Sequence, residues 1–302
     1  MTHPRTGPAI AGALECLEAR PIVPGQWLVR LAVPGVVAGI RAGQVLHLGP
    51  VGIPGAVLRR AYPVAGVEPV AGIVTLYVDA EERFEPDGEA GPAGWPAALR
   101  VGDRVWAAGP FGRPIEVDPR SRHLLLVAVD RLSGALRLLV DEALRDGRNV
   151  TLLFGAPEAR AVFPSALLPD PVEYVVATAD GSLGRSGPVE ALLPEYEAWA
   201  DQAVAAGPIE ALARIVAVAA GRRERLGVAR LGRKRQGGKV PLQGSPAARR
   251  RAFLQVVLPL GPVCALGVCL GCVREGTAGP VRVCRDGPVV AAEEVRWPEA
   301  VA

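Results

Sequence analysis

Four cysteines near the C-terminal end, Cys264, Cys269, Cys272 and Cys284, lie in the stretch CALGVCLGCVREGTAGPVRVC with the spacing C-x4-C-x2-C and eleven residues to the last. Thiolates are soft ligands, and four this close suit a metal centre better than scattered core positions. The C-x4-C-x2-C…C run is the plant-type spacing for a 2Fe-2S cluster, whose chemistry is electron transfer. Two other readings compete. Paired disulfides fit poorly, because the chain shows no secretory context and is too long to need staples. A four-thiolate zinc site fits the donor set, but zinc ribbons usually pair two C-x2-C knuckles, and here only Cys269 and Cys272 form one. Ala265, Leu266, Gly267 and Val268 fill the four-residue gap and Gly271 sits inside the knuckle. Small residues there let backbone N–H groups approach inorganic sulfide and tune the potential. The cluster is the favoured reading, with zinc left to metal analysis.

A second stretch, LRRAYPVAG, carries groups suited to a nucleotide cofactor. Arg60 offers fork-shaped donors for phosphate and Tyr62 a flat face for an aromatic ring. The competing reading makes Arg59 and Arg60 surface charges at a strand end and Tyr62 a core residue. Cys16 reads as a small buried hydrophobe. His3, His47 and His123 show no ligand spacing and read as structural or surface residues. There is no Ser/His/Asp arrangement, P-loop or internal repeat.

These groups need a scaffold, and 302 residues, half of them hydrophobic, suffice for about two domains. With 36 glycines and 29 prolines, many turns and short strands are expected. Residues 14–23, 26–33, 44–50, 62–67, 72–80 and 103–110 are each strand-length, and most alternate in polarity, which suggests a sandwich or barrel. The acidic, Gly/Pro-rich stretch 81–96 reads as a loop. The pattern changes near Arg122. HLLLVAV, NVTLLFGAP, EYVVATADG and DQAVAAGP read as buried strands, with helices expected over 132–145 and 209–219. Strands alternating with helices point to a parallel α/β sheet.

Residues 222–251 hold eleven basic side chains against the single acid Glu224, although the whole chain carries only +3. Such a run reads as a solvated, mobile loop. Without aromatic residues for base stacking, nucleic-acid binding is not expected. Docking to an acidic partner surface is the alternative. No apolar run reaches the ~18 residues that span a bilayer, and no signal peptide is discernible, so a cytoplasmic protein is expected.

Several stretches gain meaning from their order. AGQVLHLGP has Gly43 and Gln44; LRRAYPVAG has Arg60 and Tyr62; GDRVWAAGPFG has Gly109, Pro110 and Gly112; TADGSLGRSGPV has Asp180, Gly181 and Ser182. CALGVCLGC is followed by VCRDGPVV, with Asp286, Gly287 and Pro288. In that order they resemble the PGQF strand, the R-x-Y-S flavin segment, the G-P-x-G turn, the T-D-D-G-S turn and the cysteine–DGP run of the electron-transfer subunit of two-component dihydroorotate dehydrogenase, in the ferredoxin-reductase superfamily.

The resemblance implies a multi-domain α/β plus all-β protein. An N-terminal FAD-type six-stranded β-barrel would cover 1–118 and a central parallel α/β NAD-binding-like domain 119–220. A basic insertion at 221–252 and a C-terminal 2Fe-2S subdomain at 253–302 would follow. The implied cofactor-binding residues are Arg60, Ala61, Tyr62, Pro63, Tyr77, Val78 and Asp79, for FAD; the metal ligands are the four cysteines. The implied partner is a dihydroorotate dehydrogenase catalytic flavoprotein in a hetero-oligomer serving pyrimidine biosynthesis.

The chain departs from the family in two places. Pro63 replaces the Ser or Thr whose hydroxyl would meet the flavin, and it has no N–H to offer. Ala128, Val129, Asp130 and Leu132 stand where the nicotinamide turn has glycines, and Ala206 where a Cys often stands. Side chains there obstruct the close approach of a dinucleotide, and a carboxylate repels its diphosphate. The reading is a divergent member that keeps the cluster, keeps part of the flavin site and has largely lost the pyridine-nucleotide site. The alternative is a non-enzymatic scaffold or electron-wire subunit of another redox complex.

Overall fold

The computed structural model describes residues 10–33, 37–51, 59–79, 99–222 and 252–298. The expected loop 81–96, His3 and the basic run beyond Arg222 lie outside the described residues.

Six strands build the first layer: β1 (Ile10–Val23), β2 (Gln26–Ala32), β3 (Val45–Pro50), β4 (Arg59–Glu68), β5 (Ile73–Asp79) and β6 (Arg104–Phe111). They pair antiparallel in the order β4-β3-β6-β1-β2-β5, and β5 pairs back to β4 to close a barrel. Alternation explains the closure: Leu46 and Leu48 of β3 point inward with Leu31, Leu76 and Val78, all essentially inaccessible. Closing the sheet also removes the unpaired edges that short strands would expose.

The second unit runs β7 (His123–Val129), α1 (Gly134–Arg145), β8 (Asn149–Ala156), β9 (Glu173–Thr178), β10 (Arg185–Ser186), a one-turn α2 (Leu193–Tyr196), β11 (Gln202–Ala206) and α3 (Ile209–Ala220). Leu124 to Ala128 are fully buried, as a parallel strand covered on both faces must be. Helix α1 starts two residues later than the periodicity suggests: Leu132 turns into the core, and Ser133 caps the helix through the Ala135 N–H (3.3 Å).

The C-terminal segment joins both units. It comprises β12 (Leu254–Val257), β13 (Pro262–Val263), β14 (Val273–Arg274), β15 (Val281–Arg282), the one-turn α4 (Val283–Asp286) and β16 (Val289–Ala291). Strand β12 extends the α/β sheet parallel to β11, and β16 covers its edge antiparallel, giving the order β10-β9-β8-β7-β11-β12-β16. Between them, β13 crosses to the barrel and pairs with β4 at Arg59 and Arg60.

Polar contacts fix the barrel against the sheet. Glu142 of α1 accepts the Ala42 N–H at 2.9 Å, and the Gln255 amide exchanges two hydrogen bonds with the Glu116 backbone. Arg222 stacks on Phe253 and donates to the Glu197 and Ala200 carbonyls. Among the described residues, no helix is long and apolar enough to cross a membrane.

Candidate functional site

The strand crossing from sheet to barrel positions the first cysteine. Cys264 follows β13 directly, so its loop hangs from the strand that carries Arg60. Ala265, Gly267 and Leu270 adopt left-handed backbone (φ 61°, 73° and 57°), which curls the loop around the Cys264 sulfur. That sulfur accepts the Leu266 and Cys269 N–H groups at 3.4 and 3.5 Å. The Cys272 sulfur accepts the Cys284 N–H at 3.4 Å, and both of these thiols are buried.

Electrostatics separate the thiols. Burial opposes ionisation of Cys264, but N–H groups of Cys269, Val268 and Leu266 and the Cys269 thiol outweigh it and bring its pKa down to about 6. Burial, then the hydrogen bond and charge of Cys272, push Cys284 up to about 12. Backbone hydrogen bonds link the thiols two by two, Cys269 N–H to the Cys264 sulfur and Cys284 N–H to the Cys272 sulfur. Two thiolate pairs wrapped in N–H donors fit a two-iron cluster, in which each iron needs two thiolates and the sulfides need donors.

The DGP run braces this site from behind. The Asp286 carboxylate accepts the Arg282 N–H (3.0 Å), and the Gly287 carbonyl accepts the Arg113 N–H (2.6 Å) just beyond the barrel's exit strand. Gly112 has φ +82°, and a Cβ there would stand 2.5 Å from the Pro288 ring. The two turns, far apart in the chain, thus meet at one point.

A cavity of about 820 Å³ opens between barrel and sheet. Arg60, Ala61, Tyr62 and Pro63 of β4 and Tyr77 and Asp79 of β5 all line it. Val78 does not: the pleat turns it into the barrel core, fully buried. Gln26, Ser133, Gly134 and Leu258 also line the cavity, and the sequence pattern gave no sign of their place there. Gln26 donates to Asp79 and to the Leu132 carbonyl (3.3 Å each), while its own buried Oε1 has no partner among the described residues. A buried acceptor left open in a cavity of this size favours a ligand with N–H or O–H groups. Aromatic rings, an arginine, an open acceptor and room for a drug-sized or larger molecule fit a flavin nucleotide.

The cavity and the thiols share packing. Val45 and Ala61, which line the cavity, belong to the same apolar cluster as Val263, Cys272 and Cys284. Around Cys269, by contrast, Leu266, Val268 and Leu270 stand 67%, 71% and 61% exposed. The TADG turn is local: Asp180 accepts the Ser182 N–H and hydroxyl, which hold its carboxyl below the usual range, and the turn closes β9.

Comparisons agree with this geometry. Residues 263–296 match the model of the iron–sulfur cluster binding domain of dihydroorotate dehydrogenase B. The chain is 29% identical over 259 residues to the dihydroorotate dehydrogenase B (NAD(+)) electron transfer subunit of Shouchella clausii, covering 84% of this chain and 85% of that one. It is 30% identical over 227 residues to the probable counterpart from Methanocella arvoryzae, covering 75% of each. Among solved structures, that of an NADH-dependent reduced ferredoxin-NADP oxidoreductase superposes with a TM-score of 0.69 at 19% identity, over 94% of this chain and 90% of that one. That last likeness concerns the fold.

Proposed function

Since the chain belongs to the family of dihydroorotate dehydrogenase B electron transfer subunits, we propose that it relays electrons between FAD in the barrel–sheet cavity and a 2Fe-2S cluster on Cys264, Cys269, Cys272 and Cys284, and exchanges them with a dihydroorotate dehydrogenase catalytic subunit in pyrimidine biosynthesis. When bound, the flavin supplies two-electron to one-electron conversion and the cluster a one-electron relay. The protein contributes spacing and environment. Arg60 is placed for the flavin's phosphates, Tyr62 and Tyr77 for its apolar faces, and the Gln26 Oε1 for one of its donors. Pro63 supplies shape alone.

One observation carries the reading: the strand that lines the cavity and the strand that leads into the first cysteine are hydrogen-bonded neighbours, with Ala61 and two of the thiols in one apolar cluster. A relay needs this proximity; a zinc-stabilised interaction module does not. The exposed lip of Leu266, Val268 and Leu270 around Cys269 is where the catalytic subunit would dock. A cytoplasmic location belongs to the same proposal.

The test is composition. Protein purified without oxygen is expected to carry flavin, iron and acid-labile sulfide, with iron and sulfide in equal amounts. Zinc without sulfide, or sulfide without flavin, contradicts the reading.

A further inference from the structure

In an open α/β sheet a dinucleotide binds at the carboxyl ends of the strands, where the strand order reverses. Here the order runs β7-β8-β9 one way and β7-β11-β12 the other, so the switch point lies between β7 and β11. Two requirements follow from general chemistry. The backbone of the first strand-to-helix turn must let the diphosphate come close, and its N–H groups must be free to meet it.

Both requirements fail over Val129, Asp130 and Arg131, the first residues of the turn. Val129, at the end of β7, packs onto Gly207 beyond β11, so closely that a Cβ on Gly207 would lie 2.9 Å from the Val129 Cβ. The two strand ends are thus pressed together where the ligand would enter, and the Val129 side chain stands in the cavity wall there. Asp130 follows in left-handed backbone (φ 64°) and places a carboxylate on the cavity wall. Its own N–H is spent on the Gly155 carbonyl (2.8 Å), and that of Arg131 on the Val129 carbonyl (2.8 Å). The Ala135 N–H goes to the Ser133 hydroxyl.

The arginine of the turn itself is committed as well. Arg131 reaches across to the barrel, donating to the Pro24 carbonyl at 2.6 Å and pairing with Asp79 at 3.4 Å. Arg160 pairs with Glu158 at 2.6 Å. The turn is therefore strapped to the barrel by its own side chain, and its acidic neighbour faces the opening.

Building on the flavin-and-cluster reading above, we infer that this chain does not bind NAD(H) or NADP(H) at the switch point and that its electron donor or acceptor there is not a pyridine nucleotide. Val129 and Asp130 close the site, and Arg131 holds the closure. In this the chain parts from the relatives whose names carry NAD(+).

The test is calorimetric titration of the full-length holoprotein with NADH and with NADPH, paired with anaerobic spectra. The wild type is expected to give no saturable heat, and its visible spectrum is expected to stay oxidised under NADH but to bleach with dithionite. The Val129→Gly/Asp130→Gly variant removes both obstructions, and glycine suits the left-handed turn. It is expected to bind NADH at least about tenfold more tightly than the wild type. Saturable wild-type binding at micromolar nucleotide, or a double variant that binds no better than the wild type, overturns the inference. Dithionite separates the two readings: failure to bleach any chromophore defeats the cofactor assignment, while the heats still decide the nucleotide question.

Discussion

Cys269 is the exposed thiol of the set, Cys264 is half-buried, and Cys272 and Cys284 lie in the core. Removal should therefore have graded consequences. Cys269→Ser is expected to abolish most of the cluster's visible absorption while leaving the circular dichroism spectrum and unfolding midpoint nearly unchanged. Cys284→Ser should lose the absorption and also cost stability, because it leaves a hydroxyl in an apolar cluster. Retention of full iron by Cys269→Ser would sink the ligand assignment. His47 offers a second test. Buried, its Nε2 without a partner among the described residues and its ring edge-on to Phe111, it is lowered to about 4 by desolvation first and the Arg59 charge second. The unfolded chain thus takes up the proton first, so His47's contribution is complete above about pH 6.5 and fades as pH falls toward 4, by roughly 3 kcal/mol in total. Urea midpoints across that range should fall less steeply in His47→Phe than in the wild type; parallel slopes would contradict it. At this scale the cysteines were legible because ligand spacing is local. Gln26 was not, since its role depends on strand pairing with Asp79, 53 residues away.

Helix α1 connects the two cofactor regions to the scaffold. Its first residue, Gly134, sits where a Cβ would fall 2.3 Å from the Pro63 carbonyl oxygen, on the flavin-side strand. Gly134→Ala would gain about 1 kcal/mol of helix propensity, yet overpacking of a backbone contact costs about 1–3 kcal/mol. The clash should win: thermal unfolding is expected at lower temperature, with flavin lost on gel filtration. An unchanged midpoint with full flavin would show that the helix has room to shift. The elements themselves were largely readable. Six barrel strands follow from alternation and turn residues, and HLLLVAV could only be a strand buried on both faces. Strands β12, β13 and β16 escaped notice because they are two to four residues long, lie among prolines and glycines, and pair with partners far back in the chain. Short segments carry no period to read.

For the whole molecule, the question is how two sites and a partner face are arranged on one frame. The strand patterns and the cysteine spacing already held the order barrel, sheet, cluster; they did not reveal that the C-terminal segment weaves through both, extending one sheet and adding a strand to the other. That weave brings the thiols near Ala61 and leaves Leu266, Val268 and Leu270 facing outward. Serine at those three positions should weaken binding of the catalytic subunit by about 2 kcal/mol or more, roughly thirtyfold, with the absorption spectrum intact. Unchanged affinity by interferometry would move the docking face elsewhere. The central claim, that this frame conducts electrons between the catalytic partner and the cluster, is tested most directly by adding dihydroorotate anaerobically to the assembled complex and recording the electron paramagnetic resonance spectrum. The account predicts the signal of a reduced 2Fe-2S cluster, absent in the complex made with Cys269→Ser. A partner flavin that becomes reduced while the cluster stays silent would contradict it.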